Sequence, residues 1–209
     1  MKINIILSIL LISIIISCSK KDTTAPYIYM NGINPTYVVL NSTYSDAWAT
    51  ATDETDGNIT SKIVATYSPS SGVNTNLVGS YYIYYNVSDA AGNTATQASR
   101  EIVVVNEANN FIGKYNEAVS QSSNTVYCTD SVYISNTQNN RISFTKFGLD
   151  TVANISADIV NSSISIPSQT VGSHTYYGNG IINSNAFLII FTDSTSSAVL
   201  HCTSTFTKQ

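Results

Sequence analysis

Short segments in which apolar and polar residues alternate fill the chain from about residue 25 to its end. Successive side chains of a β-strand point to opposite faces, so a period of two is typical of strands with one buried face. The pattern predicts six strands in the first half, at 27–30, 37–40, 47–52, 63–67, 80–88 and 94–105. It predicts eight in the second half, at 114–119, 126–135, 141–147, 152–160, 163–167, 176–183, 186–192 and 198–207. The chain is therefore predicted to be all-β.

The turns between these strands favour two domains. Asn31-Gly32 is one of several turn signals in the first half, where strands at this spacing indicate a β-sandwich. In the second half the turns are very short, as at Asn161-Ser162, which favours neighbouring antiparallel strands that form a small barrel or a curved sandwich. We predict a sandwich over 25–105, a linker over 106–110 and the second β domain over 111–209.

The chain opens with an almost unbroken apolar run at 3–16, preceded by one lysine. Its length fits the apolar region of a secretory signal peptide and falls short of the roughly 20 residues of a spanning helix. The run ends in Ile15-Ile16-Ser17-Cys18, which resembles the lipobox of bacterial lipoproteins. That resemblance implies a lipoprotein signal peptide over 1–17, acylation of Cys18 and a lipidated tether over 18–24.

The residues after the cysteine bear on the location of the protein. Ser19-Lys20-Lys21-Asp22 is similar to the short charged export tags of Bacteroidota surface lipoproteins. Acyl chains hold a protein on a bilayer without spanning it. The resemblance implies a lipid-anchored protein of the outer membrane that is exposed at the cell surface.

Composition narrows the partners further. The formal net charge is −4, and only 11% of the residues are charged. Surfaces that bind nucleic acid carry clustered Lys and Arg, so a nucleic-acid partner is excluded. The expected partners are the membrane, through the lipid anchor, and either a glycan or another envelope protein.

The first domain also resembles a known family. The segments that carry the resemblance are Thr24-Ala25-Pro26, Asn31-Gly32-Ile33-Asn34-Pro35, Ala49-Thr50-Ala51-Thr52-Asp53, Asp56-Gly57-Asn58-Ile59-Thr60, Val73-Asn74-Thr75, Gly79-Ser80-Tyr81 and 85–93. Together they are similar to the immunoglobulin-like (Ig-like) repeat of bacterial surface proteins, a family of unknown specific function distantly like the hyalin repeat. The resemblance implies a surface spacer or binding scaffold. The second half looks like the C-terminal β domain of small Bacteroidota lipoproteins, which has no assigned activity.

Several aromatic residues are candidates for stacking on a sugar ring. Members of the Ig-like family usually carry glycine where this chain has Trp48. Alternation predicts that Trp48, Tyr82 and Tyr84 face outward, and Tyr176 and Tyr177 are two further candidates in the second domain. The alternative is that these rings only cover an outer sheet face or a contact between domains.

Acidic turn residues are weak candidates for a calcium site. Asp53, Asp56 and Asp89 lie in two turns that could meet at one end of the sandwich, and Ca²⁺ takes 6 to 8 oxygen ligands. Asp is equally common in turns for local hydrogen-bonding reasons. We therefore predict no metal and no cofactor.

The chain has three cysteines, of which Cys18 is assigned to the lipid. The remaining pair, Cys128 and Cys202, lies in the second domain, and the envelope is oxidising. A disulfide between these two cysteines is predicted. The alternative is two separate buried thiols.

Motifs of catalysis are missing from the sequence. There is no Gly-x-Ser-x-Gly, no His-Glu-x-x-His, no phosphate-binding glycine loop and no Cys-x-x-Cys. The carboxylates of the second domain, Glu117 and Asp130 among them, are predicted mostly at turns. We predict no enzyme and no catalytic residue.

Three functions follow from these observations, in order. The first is a noncatalytic surface binding protein, accessory to the capture or uptake of glycans. The second is an adhesin or structural envelope protein that binds another protein. The third is a small-ligand carrier or a hydrolase that uses a pocket in the C-terminal domain.

Overall fold

The computed structural model describes residues 21–149, 154–184 and 186–209. The described residues form two compact units. The first consists of 21–32, 47–66 and 84–99, and the second of 33–46, 67–83 and the chain from 100 onward. The signal segment 1–17 and Cys18 lie outside the described residues.

All regular elements of any length in the described residues are β-strands. The strands before residue 106 are β1 (Tyr27–Met30), β2 (Thr36–Val39), β3 (Ala49–Asp53), β4 (Gly57–Asn58), β5 (Val64–Ser68), β6 (Gly79–Asn86) and β7 (Ala98–Val105). Those after it are β8 (Gly113–Gln121), β9 (Asn124–Ile134), β10 (Arg141–Phe144), β11 (Ile155–Val160), β12 (Ser163–Val171), β13 (His174–Asn183), β14 (Ala186–Ser194) and β15 (Val199–Lys208). Thr60–Lys62 and Glu107–Phe111 form short 3₁₀ helices. The all-β prediction is confirmed.

The strands before residue 106 make two sheets. One has the order β1-β3-β4, and the other has the order β2-β7-β6-β5 with β2 parallel to β7. Alternation along β6 buries Tyr81, Ile83 and Tyr85, as the sequence predicts. On β3, Ala49 and Ala51 are fully buried. These are the sheets of the predicted Ig-like domain.

The strands after residue 106 close into an eight-stranded barrel in the described residues. The order around the barrel is β8-β9-β10-β11-β12-β13-β14-β15 and back to β8, with antiparallel pairing at every step. Of the two predicted architectures, the barrel is therefore the one that forms. Very short turns favour this meander, and closure leaves no free sheet edge.

Aromatic side chains fill the barrel interior. The rings of Phe144 and Phe206 lie 4.8 Å apart between centroids, and Phe147 lies 4.6 Å from Phe191. The inward face of β13 carries Gly180, where an added Cβ would meet the carbonyl oxygen of Leu188. An eight-stranded barrel is just wide enough for side chains to fill it. This packing argues against the proposed small-ligand carrier.

The segment predicted as a linker forms a tight corner in the second unit. Asn106 caps the 3₁₀ helix Glu107–Phe111 and is 1% exposed. Its Nδ2 donates to the carbonyl oxygens of Ser135 and Gln138 at 2.8 and 2.9 Å. Its Oδ1 accepts from the amides of Ala108 and Asn140, both at 2.9 Å. One buried amide thus makes four hydrogen bonds.

Candidate functional site

Tyr176 and Tyr177 are neighbours on β13 and have opposite environments. Tyr176 is fully buried in the barrel interior, and its ring lies edge-on to Phe147 at 6.3 Å. The prediction that Tyr176 stacks on a ligand is therefore wrong, because its side chain points inward. Tyr177 points outward and is 47% exposed.

Trp48 does not lie on a strand, contrary to the predicted segment 47–52. β3 begins at Ala49, and Trp48 has a φ of +62°, in the left-handed region that favours glycine. This backbone conformation explains why related sequences carry glycine there. The indole packs edge-on against the buried Tyr85 at 5.6 Å and remains 37% exposed.

Tyr82 and Tyr84 are only half-buried on β6, opposite in direction to its buried residues. The hydroxyl of Tyr82 donates to Glu101 on β7 at 3.2 Å. Such rings cover their own sheet, which is the alternative that the sequence left open, and Tyr177 is the most open ring of the predicted set in the barrel.

A shallow cleft surrounds Tyr177 on the outer face of the barrel. Its volume is about 300 Å³, and its lining includes Tyr177, Asn179, Ile190, Thr192 and His201. The sheet register brings these residues together, since Tyr177 pairs with Thr192 and Thr192 with His201. The imidazole Nδ1 of His201 lies 3.2 Å from the hydroxyl of Thr192. The cleft thus combines an open aromatic ring with amide, hydroxyl and imidazole groups.

The sequence analysis missed Asn179 and His201 as members of this cleft. The signal was present, because the turn at 183–185 fixes the pairing of β13 with β14, and alternation then fixes the outward residues. The neighbourhood of His201 depends on the pairing of β14 with β15 and follows in the same way.

Two carboxylates lie inside the barrel rather than at turns. Glu117, on β8, is 1% exposed and accepts hydrogen bonds from Ser204 Oγ at 2.7 Å and the Gly148 amide at 3.1 Å. Burial raises the pKa of Glu117 to about 7 against these hydrogen bonds, with a smaller contribution from the charge of Asp130. Burial likewise raises the pKa of Asp130, on β9.

The predicted disulfide does not form. Cys128 and Cys202 are both free thiols. β8 lies between their strands β9 and β15, and two strand spacings of about 4.8 Å exceed the reach of a disulfide. The Cys128 thiol donates to Glu117 Oε2 at 3.2 Å, and burial with the nearby Glu117 charge raises its pKa to about 12. The alternative of two separate thiols is correct.

An acidic cluster lies in the first unit. Asp22, Asp53 and Asp89 each contribute an oxygen, and these oxygens lie within 4.8 Å of one another. The weak prediction named Asp56 in place of Asp22. Asp56 instead pairs with Lys62 at 3.3 Å, so its inclusion in the set is wrong.

Within the described ranges, no helix is long and apolar enough to cross a membrane.

The fold and these sites define an all-β protein with an Ig-like domain followed by an antiparallel barrel. Residues 28–104 match the family model described as bacterial surface protein, Ig-like domain. That match indicates a surface-associated role at the cell envelope.

Two further comparisons were made with known proteins. A crystal structure from Bacteroides fragilis NCTC 9343, provisionally assigned as an outer membrane protein, is 14% identical in sequence. The alignment covers 77% of this chain and 83% of that chain, with a TM-score of 0.37. No curated protein sequence matches this chain.

Proposed function

We propose that the chain is a noncatalytic, lipid-anchored protein of the outer membrane surface that binds glycans as an accessory to their capture. The cleft around Tyr177 is the observation that carries this proposal. The Ig-like domain of the bacterial surface type supports a location outside the cytoplasm. The lipobox resemblance at Cys18 supplies the anchor.

The chemistry of the cleft suits a sugar. A sugar ring presents C–H groups that pack on an aromatic face, and hydroxyls that exchange hydrogen bonds with polar side chains. Tyr177 offers the open ring, and Asn179 with His201 offers donors and acceptors on the same outer face. The cleft is shallow, which suits a chain-like or terminal sugar better than a small molecule that must be enclosed.

The buried carboxylates support a noncatalytic role. Glu117 and Asp130 are each 1% exposed in the barrel core, where a glycan in the outer cleft does not reach them. A general acid must come within hydrogen-bond reach of its substrate. The elevated pKa of Glu117 is therefore a consequence of packing rather than a sign of glycoside cleavage.

The test is glycan binding by the purified protein, first on a glycan array and then by calorimetry with the best ligand. We expect binding, and we expect Tyr177→Ala to weaken it by about 1–3 kcal/mol, since a base- or sugar-like ring loses its stacking partner. Tyr133→Ala is the matched control, because Tyr133 is a similarly exposed tyrosine on β9.

The proposal fails if the native protein binds no glycan on the array. It also fails at this site if Tyr177→Ala and Tyr133→Ala bind equally well. Far-ultraviolet circular dichroism of both variants verifies that the barrel is intact.

A row of exposed apolar residues favours the second candidate, an adhesin or structural protein with a protein partner. Ile181 pairs with Leu188, and the pair is flanked on β14 by Ile190, with exposures of 48%, 38% and 64%. Exposed apolar patches mark protein contacts as well as ligand grooves. A stoichiometric protein recovered with the chain from envelope extracts, lost on Ile190→Ser and retained on Tyr177→Ala, would favour this function.

A further inference from the structure

Asp53 ends β3 with one carboxylate oxygen unpaired. Its Oδ1 accepts from the amides of Thr55 and Asp56, both at 2.9 Å. Its Oδ2 is buried and has no hydrogen-bond partner in the part of the chain that is described, while the residue is only 8% exposed. Burial of an ionised oxygen without a donor or a cation is costly, so this atom calls for a ligand.

Two more carboxylates converge on the same place. Asp89 is 7% exposed, and Asn93 donates to both of its oxygens at 2.7 Å, from the main chain and from the side chain. Burial acts to raise the pKa of Asp89, but these hydrogen bonds lower it below its usual value. Asp22 completes the group, with one oxygen of each residue within 4.8 Å of the others.

The cluster has no cation of its own among the described residues. The nearby Lys62 pairs with Asp56 instead, at 3.3 Å. Asp56 Oδ2 also accepts from the Ala90 amide at 2.6 Å, which ties the turn after β3 to the turn that carries Asp89. The two turns are thus held in place, while three like charges remain close together without compensation.

We propose that Asp22, Asp53 and Asp89 bind one calcium ion, which fastens the segment before β1 to these two turns. Calcium–oxygen distances of 2.3–2.6 Å place two ligand oxygens up to about 5 Å apart, which agrees with the spacing of the cluster. Magnesium binds at about 2.0–2.1 Å in a strict octahedron and suits this wider group less well. Waters and carbonyl oxygens complete the 6 to 8 ligands.

The position of Asp22 gives the site a consequence for the whole chain. Asp22 lies four residues after Cys18, the predicted lipid attachment, and five before β1. The Asn93 side chain already donates to the Asp22 carbonyl at 3.4 Å. With calcium bound, the end of the tether is held against the first unit, whereas without calcium only this long hydrogen bond remains.

Calorimetry with calcium chloride tests the site on the full-length protein after treatment with EDTA. We expect one ion per chain, and we expect Asp53→Asn and Asp22→Asn to weaken binding by about tenfold or more. Glu54→Gln is the matched control, because Glu54 is an exposed carboxylate of the same turn outside the cluster. Absence of calcium binding by the native protein, or equal affinity in Asp53→Asn, overturns the proposal.

Thermal unfolding separates a metal ligand from a structural turn residue. In EDTA, Asp53→Asn should be at least as stable as the native protein, because the substitution relieves repulsion between carboxylates. Excess calcium should raise the Tm of the native protein by roughly 5 °C and leave that of Asp53→Asn unchanged. Equal destabilisation of the variant with and without calcium assigns Asp53 a structural role and contradicts the proposal.

Trypsin cleavage after Lys21 tests the effect on the tether. Calcium should slow this cleavage in the native protein and in Glu54→Gln, and should leave it unchanged in Asp22→Asn. A cleavage rate in the native protein that ignores calcium rejects the fastening of the tether.

Discussion

Glu117 is a carboxylic acid whose proton is held more tightly in the folded barrel than in the unfolded chain. Burial raises its pKa from about 4.5 to about 7. Between these two values, the unfolded chain releases the proton and the folded chain retains it. The free energy of unfolding therefore falls as pH rises through this range and levels off above it. The raised pKa of Asp130 acts in the same direction.

We predict that the free energy of unfolding falls by about 3 kcal/mol between pH 4.5 and pH 7.5 because of Glu117. Glu117→Gln, which stays neutral, should remove most of this fall. Urea denaturation followed by circular dichroism at several pH values measures it. Glu54→Gln, an exposed carboxylate, should keep the native pH dependence. A native protein with equal stability at both pH values would contradict the assigned ionisation.

The residue scale also shows where alternation is reliable. It oriented Tyr81, Ile83 and Tyr85 correctly because they lie inside β6. It gave the wrong setting for Trp48, because a residue before the strand, with a φ of +62°, does not follow the period of two.

At the scale of elements, the corner that contains Asn106 depends on one buried amide. Its donors and acceptors are all used by the strand β9, the turn after it and the following 3₁₀ helix. A buried polar group of this kind fixes the conformation of several segments at once, because each partner would otherwise lose a hydrogen bond in a place that water does not reach.

We predict that Asn106→Ala lowers the free energy of unfolding by roughly 2–4 kcal/mol, because it leaves several buried groups unpaired. Asn110→Ala is the matched control, since Asn110 is an exposed asparagine of the same 3₁₀ helix, and should change stability by less than about 0.5 kcal/mol. Chemical denaturation of both variants provides the comparison. Equal stability of the two would show that the capping bonds contribute little.

The barrel as an element explains the failed disulfide. In sequence, Cys128 and Cys202 are the remaining pair, and pairing them is the simplest expectation. Barrel closure, however, places β15 beside β8 and not beside β9. The neighbour of Cys128 across the sheet is therefore Glu117, a residue far from Cys202 in register.

At the scale of the whole molecule, the proposed role depends on the anchor at Cys18. We predict that the native protein fractionates with membranes and carries an acylated cysteine at its new N-terminus. Cys18→Ala should move it to the unanchored fraction with the signal retained, because the acceptor thiol is lost. Membrane fractionation and intact-mass spectrometry measure both effects.

Cys128→Ala is the control for this experiment, since it removes a thiol in the barrel and should leave membrane association unchanged. An intact Met1 and an unmodified thiol at position 18 in the native protein would reject the anchor, and the surface presentation of the cleft with it.

The sequence by itself determined the fold class, the approximate strands and the family resemblance of the first half. These features are local, because a period of two, turn residues and short motifs are written in neighbouring positions. The same local signals also placed Tyr177 on an outer face, beside a residue that the sequence wrongly placed there too.

Only the tertiary structure decided which distant residues meet. Closure of the barrel set Tyr177 beside His201, separated the two thiols and enclosed Glu117 among aromatic rings. In the first unit, chain folding replaced Asp56 by Asp22 in the acidic cluster. Such neighbourhoods depend on which strands pair and on how the turns pack, and a single sequence constrains these only through the sum of many weak contacts.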